Sequence, residues 1–485
     1  MDVLDLTGTW VDDAVRAVLL WTAIPSLLYF LAIAVQQGVL VLMGWIDVRA
    51  SSARRDVLDL AETATAPVSM SLTVVMAAYN ESAVIAESVR SVLALDYPDH
   101  EVVVVNDGST DDTLEVLRRT YDLVPSEREV RAAGSLQVRG AVRGVLEARD
   151  PAVPLVVVDT ENSGRADASN AGLAVSAKDL VVFFDADSVL DADALLLAVQ
   201  PFLDDPLRVV CTGGNIRAVN GCRVVAGRVV EEGMPRPWLA RLQVVEYLRA
   251  FSLGRAGWSR LGALMLVSGA FGVYRRDMLL EVGGFDADTI GEDFELTMSL
   301  HRWCRRRRRA YRLVFVAEPT CWTEVPESRA VLQRQRSRWH RGLWEVLWKH
   351  RGMLLNPRYG RIGMVGLPSF WLFELMAPLF ELVGLALILL AIAVGAIDPV
   401  LALAALGISL GIGILVTVLA MLIEEGARRR RTTVADLGVM VLCAVVENLG
   451  YRQLTAVWRL QGWWQALRGS TASWGEMTRT GFATD

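Results

Sequence analysis

The stretch "LVVFFDADS" (180–188) decides how the middle of this chain folds. Its apolar residues stop at Asp185, and Asp187 stands two positions later. An uninterrupted apolar run of this kind reads as a strand covered on both faces, as in a parallel sheet flanked by helices. Carboxylates two apart at a strand end lean the same way. That arrangement suits a divalent cation, and the cation suits a diphosphate. The Asp-x-Asp triplet alone is a weak signal, since it recurs at 191–193 and 286–288. Neither repeat ends an apolar strand, and both read as helix capping and loop solvation.

Three runs of the same kind precede it: "LTVVMA" (72–77), "EVVVVND" (101–107) and "PLVVVD" (154–159). Helical patterns intervene, from Glu81 to Ala94 and from Thr110 to Arg119. Strand–helix alternation predicts an α/β, Rossmann-like domain with a mixed, mostly parallel sheet over residues 71–328. Ligands of such sheets bind at the carboxyl ends of the strands. In "VNDGST" (105–110), Asp107 closes a strand and Gly108 permits a tight turn. The competing reading is an ordinary turn with a helix cap from Ser109 or Thr110. In "GEDFELT" (291–297), Glu292 and Asp293 open an amphipathic helix. They either favour a helix N-terminus by charge or supply a general base for a hydroxyl.

Hydrophobic residues make up 53% of the 485, high for a soluble protein and ordinary for one partly in lipid. A net charge of -6 leaves no electrostatic footprint for nucleic acid. The five cysteines show no paired or zinc-binding spacing and read as free thiols. Leu19 to Met43 is long enough to cross a bilayer, and Arg49, Arg54 and Arg55 put the chain after them in the cytoplasm. Residues 1–48 are thus expected to hold a transmembrane helix and 49–70 a cytoplasmic linker. Leu367 to Ile397 and Val400 to Ile423 predict two more spans, within 363–426. Residues 427–485 read as a basic loop, a helix from Val434 that spans the bilayer or lies at its interface, and a tail. The expectation is a multi-pass protein of the cell membrane with its α/β domain in the cytosol.

In order along the chain stand "VVMAAYNES" (74–82), "VVVNDGSTDDT" (103–113), "ENSGRADASNAG" (161–172), "VVFFDADS" (181–188), "SGAFGVYRRD" (268–277), "GEDFELT" (291–297) and "QRSRW" (335–339). Each is modest. The ordered set resembles the family 2 glycosyltransferases, above all their processive, membrane-embedded branch of cellulose, hyaluronan, chitin-oligosaccharide and poly-N-acetylglucosamine synthases. The resemblance implies a nucleotide-diphospho-sugar transferase domain inserted between transmembrane helices. It also implies a UDP-sugar donor, a divalent cation (magnesium or manganese) and a polysaccharide or lipid-linked acceptor, with room for accessory export subunits. Tyr79 and Glu81 would lie along the nucleotide, and Asp107 would accept a hydrogen bond from the uracil. Asp185 would contact the nucleotide, Asp187 would hold the metal and Asp293 would act as base. Gln335, Arg338 and Trp339 match the Gln-x-x-Arg-Trp motif of processive members, on interfacial amphipathic helices expected over 329–362. Trp322 and Glu324 in "CWTEVP" (321–326) would border the acceptor path. Ser163-Gly164-Arg165 stands where relatives often have Gly-Gly-Lys, and Arg165 would reach the nucleotide's phosphates through a planar fork.

The function expected is an inverting, processive β-glycosyltransferase. A non-processive enzyme acting on a polyprenyl phosphate would need the same donor site without Gln-x-x-Arg-Trp. A catalytically dead scaffold would be expected to lose acids, yet Asp107, Asp185, Asp187 and Asp293 are all present. On a helix Gln335, Arg338 and Trp339 share one face. Arg334 and Arg341 stand a step round and are expected at anionic headgroups. Glu374, Glu381 and Glu447 lie in or near lipid-depth segments and mark either a polar path or helix ends at the interface. The role of 121–154 stays open.

Overall fold

The computed structural model describes residues 3–55, 70–393, 395, 398–427 and 433–469. Most of the expected linker (56–69), the arginines at 428–431 and the tail from 470 lie outside them. Helix α1 (Val3–Arg55) leads to β1 (Leu72–Ala78), α2 (Ile85–Leu93), β2 (His100–Asp107), α3 (Thr113–Tyr121), β3 (Leu123–Pro125), β4 (Val142–Ala148), β5 (Leu155–Thr160), α4 (Arg165–Val175) and β6 (Leu180–Asp185). Then come β7 (Val189–Leu190), α5 (Ala194–Asp204), β8 (Val209–Ala218), the hairpin β9–β10 (Arg223–Val225, Arg228–Glu231) and α6 (Trp238–Tyr247). A π-helical turn (Leu248–Leu253) joins α6 to α7 (Gly254–Arg260), and β11 (Phe271–Arg275), α8 (Arg276–Val282), α9 (Glu292–Arg306) and β12 (Arg312–Thr323) complete the domain.

Among the described residues, ten strands form one sheet in the order β3-β4-β5-β2-β1-β6-β11-β8-β12-β7. Strands β4, β11 and β7 run against the rest, so the sheet is mixed and mostly parallel, as the apolar runs predict. Alternate residues of those runs enter opposite cores. Val75, Val103 and Val181 join one core with α4, while Val74, Val104 and Val182 join another with α2 and α5. Burial on both faces is what removes the polar alternation from these strands. Helix α4 comes down onto the sheet at Gly172, where a Cβ would meet Val75 Cγ1 at 2.3 Å. The register sets Ala77 of β1 opposite both Val105 and Asp185. Asp107 and Asp185 therefore leave the same edge of the sheet, on either side of β1. Helix α3 starts later than the sequence suggests. Its first N–H is taken by Asp111 Oδ1 at 3.0 Å rather than by Ser109 or Thr110.

After the sheet comes α10 (Arg329–Lys349), and then α11 (Ala377–Ala393), α12 (Pro399–Ala427), α13 (Val434–Val446) and α14 (Arg452–Leu467). Three described helical stretches are long and apolar enough to cross a membrane: Pro25–Ser51, Leu406–Glu425 and Val434–Leu467. The pair Ile362–Leu375 and Ala377–Ala393, bent by 45°, makes a fourth if it counts as one. Val434–Leu467 is broken at Leu449 and Gly450, where the backbone leaves helical geometry (φ 110° at Gly450). Helix α14 lies close along α10. A Cβ on Gly462 would meet the Ser337 carbonyl oxygen at 2.0 Å.

Candidate active site

The carboxyl edge of the sheet opens onto one cavity of about 3200 Å³. One end of it is built from loops that lock each other. Asn80, after β1, takes a left-handed backbone (φ 56°). Its Oδ1 accepts from Thr110 N at 2.8 Å, and Ser109 Oγ accepts from Asn80 N at 3.0 Å. That turn carries Tyr79, 46% exposed, and Glu81, both on the cavity wall. Asp107 is buried, and its two oxygens accept from Ser163 N (2.8 Å) and Gly164 N (3.0 Å). Burial raises its pKa, and those two N–H groups partly offset the rise. The left-handed Gly108 (φ 64°) leaves room for Asn162, whose N a Cβ would meet at 2.5 Å.

Arg165, at the first turn of α4, bridges the two acidic motifs. Its guanidinium meets Asp185 Oδ1 at 2.5 Å, Glu292 Oε1 at 2.8 Å and the Gly269 carbonyl at 2.8 Å. The planar fork is thus held between carboxylates that line the cavity with it. Asp187 carries a pKa pushed up to about 7, first by burial and then by Asp185, with Arg165 opposing. Two neighbouring carboxylates at a strand end, one of them partly buried, fit a divalent cation, which would offset their mutual repulsion. Among the described residues no third acid, cysteine or histidine joins them.

The other end comes from α9 and α10. Asp293 stands in the first turn of α9, and its Oδ2 accepts from Gly269 N at 3.0 Å. Glu292 beside it is buried, which raises its pKa against the pull of Arg165. The start of α9 meets α10 at Gly342, where a Cβ would lie 2.9 Å from Gly291 N. Gln335, Arg338 and Trp339 project from α10 into the same cavity, as does Glu324. Burial lowers the Arg338 pKa, with Glu292 acting against it and Arg165 adding to it. The Gln335 Oε1 is buried with no partner among the described residues.

Two expected placements are corrected. Trp322 is absent from the cavity wall: it is buried with Val189, Val219 and Val229, and its Nε1 donates to Asp191 at 3.1 Å. Alternation along β12 turns Trp322 away and Thr323 toward the cavity, and Glu324, past the strand end, lines it too. Arg341 does not reach outward. Its side chain is 13% exposed and pairs with Glu345 at 2.8 Å, one helical turn on.

The family profile "Glycosyltransferase like family 2" matches residues 69–342, more than half of the chain. The chain belongs to that family. The match runs from just before β1 to Gly342, beyond Gln335, Arg338 and Trp339. Poly-beta-1,6-N-acetyl-D-glucosamine synthase of Staphylococcus aureus (strain COL) is 29% identical over 277 residues, 57% of this chain and 55% of that protein. The enzyme of the same name from Staphylococcus epidermidis is 29% identical over 273 residues, 56% of this chain and 54% of its own. The chain thus spans about half the length of the curated relatives it matches. A mannosyltransferase from Pyrobaculum calidifontis, solved with GDP-Man and Mn2+, aligns over 86% of this chain and 99% of its own, at 20% identity and a TM-score of 0.49.

The cavity of this glycosyltransferase-like domain continues between the apolar helices, past Phe30, Leu385 and Ile412. Glu374, Glu381 and Glu447 all line that part. Each faces a cation: Arg459 at 3.7 Å, Arg452 at 3.9 Å, and Arg249 respectively. Some site residues escape sequence reasoning. Asn80, two residues past β1, is one, although Asn is among the residues enriched in the left-handed region. Asp167 is another. Buried, it accepts from Arg139 N and Gly140 N (both 2.8 Å) and from Ser163 Oγ (2.7 Å). It thereby ties the 126–141 loop to the loop that holds Asp107, which gives the open region 121–154 a structural place.

Proposed function

We propose that the chain is an inverting, processive β-glycosyltransferase. It moves a sugar from a UDP-sugar to the end of a growing polysaccharide at the cytoplasmic face of the cell membrane and passes the product across. The observation that carries this reading is one cavity joining the paired aspartates, Asp293 and the Gln335-Arg338-Trp339 face, then running on between apolar helices. The protein is multi-pass with its α/β domain in the cytosol, and accessory subunits can complete export.

In this reading the uracil N–H donates to Asp107, with Tyr79 and Glu81 along the nucleoside. Asp187, with Asp185 beside it, would hold magnesium or manganese, which would neutralise charge on the departing diphosphate. Arg165 and Arg338 add fixed positive charge there. Asp293 takes the proton of the acceptor hydroxyl as its oxygen attacks the donor's C1. The C1–O bond to the diphosphate breaks and UDP leaves with the electron pair. One displacement inverts the anomeric centre, so an α-linked donor gives a β-linkage. Trp339 stacks on the terminal acceptor sugar while Gln335 and Glu324 border it.

The name of the staphylococcal relatives makes UDP-N-acetylglucosamine the first donor to test, with UDP-glucose second. In inverted membrane vesicles, transfer of labelled sugar should fall by about 10² or more in Asp293→Asn, while UDP still binds. Normal transfer by that variant would remove Asp293 from the role of base. Failure of the wild type to turn over any UDP-sugar would overturn the reading.

A further inference from the structure

Arg255 occupies a place that none of the recognised motifs explains. It lies on α7, 7% exposed, on the wall of the cavity. Its guanidinium carbon sits 4.3 Å from the centroid of Phe251. Among the described residues it makes no ion pair or hydrogen bond. Burial lowers its pKa to about 10, and Asp293 leads the groups that oppose this. A cation withdrawn from water without a counter-group is costly, so a buried one on a cavity wall points to a ligand that completes it.

The local fold aims it there. Tyr247, Phe251, Arg255 and Trp258 all line the cavity, and the π-helical turn Leu248–Leu253 lies among them. Such insertions cluster at functional sites. The charges felt by Arg338 include Glu292, Arg165, Asp293 and Asp185, those of the donor end. Arg255 instead feels Asp293, Tyr274 and Tyr247. Arg255 and Asp293 line the same cavity, and Asp293 is the carboxylate named among the charges it feels. A group lying between Arg255 and Asp293 has to satisfy a cation and a carboxylate together. A sugar does so, with O–H donors for the acid and oxygen acceptors for the guanidinium. A phosphate there would be repelled by Asp293.

We propose that Arg255 binds the terminal sugar of the acceptor, donating N–H bonds to its hydroxyl or carbonyl oxygens while Asp293 takes the reacting hydroxyl. Tyr247 and Phe251 form the wall beside it. The inference rests on the reading of Asp293 as the base. It is tested in full-length protein with UDP-N-acetylglucosamine and a β-1,6-linked N-acetylglucosamine pentasaccharide. Arg255→Ala should raise the KM for the pentasaccharide at least about tenfold and leave the KM for the donor within about twofold. Arg255→Lys should recover part of the acceptor affinity, because it keeps the charge but not the fork. A donor KM that rises in step with the acceptor KM would assign Arg255 a merely structural role and overturn the proposal. So would an unchanged acceptor KM. Asp293→Asn is run in parallel. If it transfers sugar normally, the reading of the base fails. If it is inactive while Arg255→Ala binds acceptor normally, only the role of Arg255 fails.

Discussion

Asp107 uses both carboxylate oxygens on the backbone N–H groups of Ser163 and Gly164, and Asp167 holds that loop from behind. The Asp107 carboxylate is thus held in place by the fold, and fixed acceptors discriminate strongly among ligands. Asp107→Ala should weaken UDP binding by roughly 10²-fold, read by calorimetry. An unchanged affinity would exclude Asp107 from the nucleotide site. Trp339→Ala should stop elongation while the protein still inserts into membranes, read by product size and by membrane fractionation. At this scale the acids were legible because each ends an apolar strand or opens an amphipathic helix. Trp322 was not. Its facing depends on the irregular register between Val316 and Thr320 of β12, which no local pattern reveals. Arg255 was invisible for another reason: its helix carries no motif, and only the cavity makes an unpaired buried arginine stand out.

Between elements, α9 and α10 are joined by Glu295, buried on α9, which meets Lys349 at 2.7 Å and His350 at 3.4 Å. Burial alone would raise the Glu295 pKa, but hydrogen bonds from His350 and Lys349 outweigh it and hold the group at about 2. A depressed carboxylate contributes stability that is present above its unfolded value of 4.5 and is lost as pH falls through about 2. The thermal midpoint in detergent should therefore drop across that window, and Glu295→Gln should flatten the drop. An identical acid profile in the variant would contradict the pairing. The close crossing of α10 and α14 is a second test. Gly462→Val would drive a side chain into the Ser337 carbonyl and shift the helix bearing Trp339, and overpacking of this kind costs on the order of 1–3 kcal/mol. Polymer output should fall by about tenfold or more, measured as incorporated label. The strands were legible from their apolar runs, since burial on both faces writes itself into composition. Helix ends drifted by a few residues, and the break at Gly450 was hidden inside an apolar segment.

Across the whole molecule, the sheet is fastened to the apolar helices by charge. Arg217 of β8 pairs with Glu424 near the end of α12, both largely buried, and also lies 3.5 Å from Glu232. Removing one partner of a buried pair costs roughly 3–5 kcal/mol, much of it from the charge left behind. In detergent, the double variant Arg217→Ala/Glu424→Ala should therefore lose less melting temperature than the two single variants lose together. Strict additivity would show that the pair does not couple the domain to the helix. The arrangement of an α/β domain between apolar helices was legible from composition and apolar patterning. Their joining into one continuous cavity was not, because it depends on contacts between residues hundreds of positions apart.

The most direct test of the central claim is the length distribution of the product. Inverted vesicles holding the wild-type protein are supplied with a labelled UDP-sugar, and products are sized while few enzyme molecules have started a chain. A processive enzyme whose acceptor end lies in a cavity leading between membrane helices makes long polymer from the first turnovers, with little of intermediate length. A product extended by a single sugar, at every donor concentration, would contradict the account.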